Sequence, residues 1–412
     1  MFPASLFTAV LLALAVSANP IIQIRNSPIT LPLARRLNLT SVHNLVRHDV
    51  NRAKALRARA EAVRSGVPLD KRAVVSESVD NQAVSYVATV AVGSPPTDFN
   101  LLIDTGSSNT WVGAGTPFTS TSTTQQTGQD VSVTYGSGEF SGTEVLDTIT
   151  IASGLTIPAQ SIGVASQSQG FSGVDGIIGI GPVDLTLDTL SPDTTAEIPT
   201  VTDNLFSDGT ISAHEIGISF EPTTQDSVFN GELTWGGIDT TKFTGSLTFT
   251  PITSTSPASE FWGINESIKY GSTTILSETA GIVDTGTTLI LLASNAFDSY
   301  QSATGAVLDQ TTGLLKITSA QFAKLQPLNF NIAGTTFVLS PDAQLWPRAL
   351  NTAIGGTANA IYLVVNNLGT LQGEGLDFIN GMTWLERFYA VFDTANKRVG
   401  FATTQFTTAT TN

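Results

Sequence analysis

From residue 84 onward, apolar and polar residues alternate in short runs broken by turn residues. Val84, Tyr86, Ala88, Val90 and Val92 share one face of a predicted strand, and Gly93-Ser94-Pro95-Pro96 ends it. Leu101 to Ile103 is a continuous apolar run, the pattern of a strand buried on both faces. Thr116–Thr127 is rich in Thr and Ser, carries no chemical signal and is read as a loop. Upstream the period changes. Val42, Leu45, Val46, Val50 and Ala53 recur at i, i+3, i+4 with Ser41 available as N-cap, which predicts a helix. Phe7 to Val16 is uniformly apolar and runs into Val16-Ser17-Ala18, the small-residue pattern of a secretory signal. That run is too short for a membrane anchor, although no Lys or Arg precedes it.

Composition supports the strand reading. The chain has 412 residues, 41% apolar and only 13% charged. That is enough for two domains or one long bilobal unit, and the Gly, Ser and Thr content favours a turn-rich β fold. The net charge of −15 leaves no basic stripe for phosphates, so nucleic acid is not an expected partner. There is no cysteine, which removes thiol nucleophiles and Cys-based metal sites. His43, His48 and His214 are too scattered for a metal site, and no cofactor is expected. No later segment is long and apolar enough to span a bilayer, so secretion to the extracellular space is expected, with no membrane association after signal removal.

The charge is unevenly placed. Residues 19–72 hold 11 of the 19 Lys and Arg against Asp49, Glu61 and Asp70, whereas 73–412 hold 31 acids and 8 bases. The dibasic pair Lys71-Arg72 stands at the boundary, a processing site that would release Ala73 as a new N-terminus. The basic helix is either a solvated leader or a propeptide that docks on the acidic remainder and masks its site; the sign asymmetry favours docking. Acid would protonate carboxylates and loosen it. The expected organisation is a signal at 1–18, a propeptide at 19–72, one lobe at 73–220 and a second at 221–412. The turn signals Asp208-Gly209 and Glu221-Pro222 place the inner boundary. The Thr-rich tail from Thr403 is expected to fray.

The candidate chemistry lies in a repeat. Leu101-Leu102-Ile103-Asp104-Thr105-Gly106-Ser107 recurs 180 positions later as Gly281-Ile282-Val283-Asp284-Thr285-Gly286-Thr287. Each copy is an apolar strand running into Asp-Thr-Gly and a hydroxyl residue. One such tripeptide arises by chance with odds of roughly one in five in this composition; two in the same context are far less probable. A glycine next to the carboxylate allows unusual backbone angles and a close N–H, the following hydroxyl can hold one carboxylate oxygen, and Thr105 and Thr285 can tie the loops together. Two facing carboxylates cannot both ionise cheaply, so they share a proton and supply one acid and one base.

These motifs, with several others, make 73–412 resemble the pepsin-like aspartic proteases, and the missing cysteines with Leu385-Glu386-Arg387-Phe388 resemble their fungal, polyporopepsin-like branch. Val133-Thr134-Tyr135-Gly136-Ser137-Gly138 resembles the family's flap hairpin. Asn109-Thr110-Trp111-Val112 resembles the strand whose tryptophan hydrogen-bonds the flap tyrosine. Asp175-Gly176-Ile177-Ile178-Gly179 resembles the element bracing the first loop, and Gly236-Gly237-Ile238-Asp239, Phe261-Trp262, Ala390-Val391-Phe392-Asp393 and Val399-Gly400-Phe401-Ala402 also match. The resemblance implies an all-β, bilobal pepsin-like fold with the cleft between two pseudo-two-fold related lobes. It implies a zymogen of an endopeptidase acting on proteins and peptides, and a monomer inhibited by its own propeptide. Asp104 and Asp284 would be the catalytic dyad, Thr105 and Thr285 its cross-braces, Ser107 and Thr287 its orienting hydroxyls. Tyr135, Gly136 and Ser137 would cover the substrate, with Trp111 behind the flap, Gly106 beside the first carboxylate, and Gly286 and Thr288 bonding the substrate backbone from below.

Two positions depart from the family. The second bracing element reads Ile379-Asn380-Gly381, and a polar side chain there either shapes the primed-side pocket or is satisfied within the fold. Ser137 stands two after the flap tyrosine, where members accepting a basic residue before the scissile bond carry Asp, so apolar and aromatic residues are the expected preference. Asn265-Glu266-Ser267 is a possible glycosylation sequon, as is Asn38-Leu39-Thr40. His214 is expected at the surface, and the 31 acids mainly on a solvated one. Two other readings remain. An inactive binding protein on this fold needs a broken dyad or flap, and a glycoside hydrolase, also built on two carboxylates, predicts no duplicated Asp-Thr-Gly and more than the five Trp present.

Overall fold

The computed structural model describes residues 28–37, 44–66, 84–136 and 138–411. The expected signal, Ser41, Val42, the Asn38 sequon, Lys71-Arg72, Ala73 and Ser137 lie outside the described residues. The chain forms two lobes made mostly of strands, as expected. One continuous fourteen-stranded sheet runs through both, and a seven-stranded sheet carries the second Asp-Thr-Gly loop. The predicted alternation holds on Val84–Val92, where Tyr86, Ala88, Val90 and Val92 are all buried. Among the described residues, no helix is long and apolar enough to cross a membrane.

Both Asp loops have the same construction. Strand Thr97–Asp104 lies parallel to Gly176–Gly179, with Ile103 opposite Ile178 and Asp104 opposite Gly179. Strand Thr273–Val283 lies parallel to Phe378–Asn380, with Val283 opposite Asn380. Each aspartate therefore leaves the buried end of its strand, although Leu102 on the first is only half-buried, and a short parallel partner fixes its exit direction. Trp262 Nε1 donates to Ile180 O at 3.0 Å while Trp262 O accepts from Val283 N, which links the end of the first brace to the strand carrying Asp284.

One strand was not anticipated. Ile29–Leu37 pairs antiparallel with Ser227–Trp235 on one side and with Val84–Val92 on the other. Its sequence hid it, because Pro32, Arg35 and Arg36 interrupt the alternation. Leu31, Leu33 and Ala34 are nevertheless buried, and Arg35 Nε donates to Glu386 Oε1 at 2.8 Å in the interior. The predicted helix is present and longer than its apolar spacing suggested, running from Asn44 to Ser65.

Two expectations need correction. The tail is not frayed: the buried Arg387 guanidinium donates to the carbonyls of Phe406, Ala409 and Thr411, and Thr404 and Thr407 are buried. His214 is half-buried, with Nε2 2.8 Å from Asp203 Oδ1 and its ring stacked on Phe206. The described acids are mainly exposed or half-buried, as expected, although Glu144, Asp147, Glu266, Asp377, Glu386 and Asp393 are buried beyond the two loops.

Candidate active site

The two Asp-Thr-Gly loops meet at the lobe boundary and cross-brace one another. Thr105 N donates to Thr285 Oγ1 at 3.0 Å, and Thr285 N to Thr105 Oγ1 at 2.9 Å. Each hydroxyl then donates to the strand carrying the other aspartate, Thr105 Oγ1 to Val283 O and Thr285 Oγ1 to Ile103 O. Ser107 Oγ donates to Asp104 Oδ2 and Thr287 Oγ1 to Asp284 Oδ2, both at 2.6 Å. Gly106 N and Gly286 N donate to the Oδ1 atoms of Asp104 and Asp284 at 2.9 and 3.1 Å. The expected unusual backbone angles are absent at both glycines, which lie outside the left-handed region. What demands glycine is space: a Cβ on Gly106 would lie 2.6 Å from Arg52 Nη2 and 2.7 Å from Asp284 Oδ1.

Arg52 lies on the Asn44–Ser65 helix, and its guanidinium sits between the two carboxylates. Nε donates to Asp284 Oδ2 at 2.7 Å, and Nη2 donates to Asp284 Oδ1 at 2.9 Å and to Asp104 Oδ1. Burial alone would favour neutral arginine, but the two carboxylates outweigh it and hold the guanidinium charged. Burial likewise opposes ionisation of Asp284, yet Arg52, the Thr287 hydroxyl and Gly286 N–H together hold its carboxyl below the usual range. The same helix places Asp49 on the second loop, where it accepts from Thr288 N at 3.1 Å and Leu289 N at 2.7 Å. Arg57 bonds Thr370 Oγ1 and Leu376 O, and Arg59 bonds Leu185 O and Leu187 O, so the helix is anchored on both lobes.

The flap closes over this helix. Tyr135 is buried in a ring cluster, edge-on to Phe171 at 5.5 Å, and Trp111 stacks on Phe140 at 4.2 Å. Burial, followed by the charge of Asp104, raises the phenol well above its ordinary value. Trp111 approaches the phenol, but the expected hydrogen bond of proper geometry is not formed, and Tyr135 Oη and Trp111 Nε1 are both buried without a partner. The helix accounts for the flap's position. Gly136 has φ +74°, and a Cβ there would meet Ala55 Cβ at 2.7 Å.

Charge asymmetry indicated a docking leader, but sequence reasoning missed Arg52 as the residue at the carboxylates. A signal existed. Asp49, Arg52, Leu56 and Ala60 fall on the same helical face as Leu45 and Ala53, and two charges on a buried stripe demand partners elsewhere. Asn380 is fully buried and donates through Nδ2 to Glu266 Oε2 at 2.9 Å, so it is engaged inside the fold. Asn265 is exposed on its strand, with Oδ1 accepting from Thr253 Oγ1.

A bilobal β fold carrying two cross-braced Asp-Thr-Gly loops under a tyrosine flap defines the pepsin-like class of aspartic endopeptidases. The profile of the family described as eukaryotic aspartyl protease matches residues 85–404. Polyporopepsin of Irpex lacteus is 65% identical over 333 residues, 81% of this chain and 98% of its own. Rhizopuspepsin of Rhizopus chinensis is 32% identical over 402 residues, 93% of each chain. The crystal structure of an aspartic proteinase from Irpex lacteus matches with a TM-score of 0.80 and 56% identity, covering 94% of this chain and all of that one. The chain belongs to the eukaryotic aspartyl protease family and is an aspartic-type endopeptidase.

Proposed function

We propose that the chain is the precursor of a secreted acid endopeptidase, self-inhibited by residues 19–72. Residues 1–18 are the signal, cleavage after Arg72 frees Ala73, and 73–220 and 221–412 are the two lobes of a monomeric mature enzyme. The observation that carries this reading is Arg52, whose guanidinium occupies the space between Asp104 and Asp284. A substrate carbonyl and its attacking water need that space, so the helix and a substrate exclude one another.

With the helix gone, Asp104 and Asp284 are two carboxyl groups sharing one proton, the state for which aspartic proteases are the established example. The ionised carboxyl takes a proton from a water molecule as the oxygen attacks the scissile carbonyl carbon. The protonated carboxyl gives its proton to the carbonyl oxygen. The tetrahedral diol then collapses, the amide nitrogen takes a proton from the dyad, and the C–N bond breaks without a covalent enzyme intermediate. Ser107 and Thr287 keep the outer oxygens in place, Tyr135 and Gly136 close above the substrate with Ser137, Trp111 backs them, and Gly286 and Thr288 offer backbone contacts below.

Digestion of casein at about pH 3–4, with and without a statine-type inhibitor, tests the reading. Asp104→Asn and Asp284→Asn should each lower kcat by at least about 100-fold. Undiminished activity in either variant sinks the mechanism. N-terminal sequencing of secreted protein locates the cut.

A further inference from the structure

Asn380 occupies a position whose counterpart in the first lobe is apolar, and the change is not isolated. In the first lobe Val90 faces Phe99, and Ile178 faces Ile103. In the second, Glu266 faces Thr279 and Asn380 faces Val283 at the matching registers. The buried apolar pair Val90 and Ile178 is thus replaced by Glu266 and Asn380, both fully buried and bonded to one another at 2.9 Å. Substituting both positions together marks a unit rather than a stray polar residue.

That unit is one proton short when Glu266 is drawn as a carboxylate. Asn380 Nδ2 serves Glu266 Oε2, but Glu266 Oε1 and Asn380 Oδ1 are both buried acceptors without a donor. Two orphan acceptors, one on each partner of a hydrogen-bonded acid and amide, are satisfied together by a single hydrogen on Oε1 donated across the pair.

We propose that Glu266 and Asn380 form a neutral acid–amide pair, with Glu266 Oε1–H donating to Asn380 Oδ1, and that this pair positions Asp284. The link is direct, because Asp284 N donates to Asn380 O at 3.2 Å. Glu266 is a positioning residue that never touches the reacting atoms. Burial pushes its carboxyl up to about 8, opposed only by the Asn380 amide. Other titratable groups on the packed elements are engaged elsewhere or face solvent. Lys269 and Glu278 are exposed, Glu260 accepts from Ser259 Oγ, Asp377 accepts from Thr279 Oγ1 and the N–H groups of Gly373 and Glu374, and Asp284 faces Arg52. The acid is therefore neutral across the acidic range in which the dyad works. Ionisation at higher pH leaves an uncompensated charge behind the Asp284 loop.

The catalytic consequence rests on the dyad reading above, so the test separates the two. Glu266→Gln keeps both bonds, since its amide donates to Asn380 Oδ1 and its carbonyl accepts from Nδ2, but it cannot ionise. Its kcat at acidic pH should stay within about twofold of the parent, while the pH of alkaline inactivation rises by at least about one unit. Asn380→Leu should lower kcat about tenfold with KM within about twofold, and adding Glu266→Val, which recreates the first-lobe pair, should restore most of it. The infrared spectrum of the parent at about pH 6 should contain a protonated-carboxyl C=O band absent from Glu266→Gln and from the double variant. That band is independent of catalysis. No lost band, an unmoved alkaline limb, or a double variant no better than Asn380→Leu each overturns the pair. If Glu266→Gln does not fold, the double variant decides alone. Activity surviving Asp284→Asn defeats the dyad reading and leaves the infrared result standing.

Discussion

Arg52 Nε and Asp284 Oδ2 lie 2.7 Å apart at the centre of the cleft, a cation of the Asn44–Ser65 helix held against a carboxylate of the second Asp-Thr-Gly loop. On the proposed self-inhibition, this pair would set the pH at which the cleft can open. Asp284 is held below its ordinary range in the docked form, so its contribution is present above about pH 4 and is lost as pH falls through the lowered value. Arg52→Ala should leave the precursor able to bind a statine-type inhibitor at neutral pH and shift activation upward in pH. Equal binding of an isolated leader peptide to the mature enzyme at acidic and neutral pH contradicts this account.

Arg35 and Glu386 form a second buried pair between leader and body. Burial raises the Glu386 carboxyl despite Arg35 and Arg387. Arg35→Ala removes the ion whose guanidinium meets that carboxyl. Loss of one member of such a pair costs about 3–5 kcal/mol. The precursor's melting temperature should fall sharply at pH 7 and much less near pH 4, where Glu386 takes up a proton. Arg35→Ala/Glu386→Gln should melt above Arg35→Ala at pH 7.

Glu144, on the long strand Glu139–Ala152, is pushed by burial up to about 7, against a 2.6 Å bond from Ser161 Oγ. A raised carboxyl binds its proton longer in the folded state than in the unfolded one. Its stabilisation is complete below the unfolded value of about 4.3 and falls as pH rises toward 7, by at most about 1.4 kcal/mol per unit. Glu144→Gln should flatten that part of the stability–pH curve in urea unfolding. An unchanged slope between pH 5 and pH 7 is the contrary result.

Arg387 gathers three carbonyls of the C-terminal tail. Arg387→Ala should destabilise the protein by about 1.5–3 kcal/mol, the range for hydrogen bonds to a charged group. It should also open residues 404–411 to proteolysis, detectable by mass spectrometry, while activity at low temperature changes little.

With Ser two residues beyond Tyr135, matched peptides bearing Phe or Lys before the scissile bond should differ at least about tenfold in kcat/KM, in favour of Phe. Comparable values count against an apolar preference.

The β architecture and both loops were legible because their signals are local. An apolar strand, Asp-Thr-Gly and a hydroxyl lie within seven residues, and a period of two survives in Val84–Val92. The hidden parts depend on partners far along the chain. Ile29–Leu37 reads as irregular until Ser227–Trp235 and Val84–Val92 flank it, and Arg35 reads as solvated until Glu386, 351 residues away, receives it. The tail read as loose because nothing local marks Arg387 as its anchor. Asn380 was visible as an anomaly, but its meaning needed the cross-strand register that brings Glu266 beside it.

The strand Ile29–Leu37 is not an appendage at a rim but an inner slat, bonded to Ser227–Trp235 along most of its length and to Val84–Val87 over Ala34–Leu37. Withdrawing it would open, over Ala34–Leu37, a short slot about 9.5 Å wide between two facing edges, twice the ordinary strand spacing. Such a slot accepts any extended chain of suitable pattern, including one from another molecule. If the proposed cleavage after Arg72 removes the leader, maturation would have to refill the slot as it empties it. The chain immediately beyond Arg72, tethered close by at Val84, is the occupant with the highest local concentration. Cutting the leader without seating that segment would trade an inhibited monomer for an adhesive one.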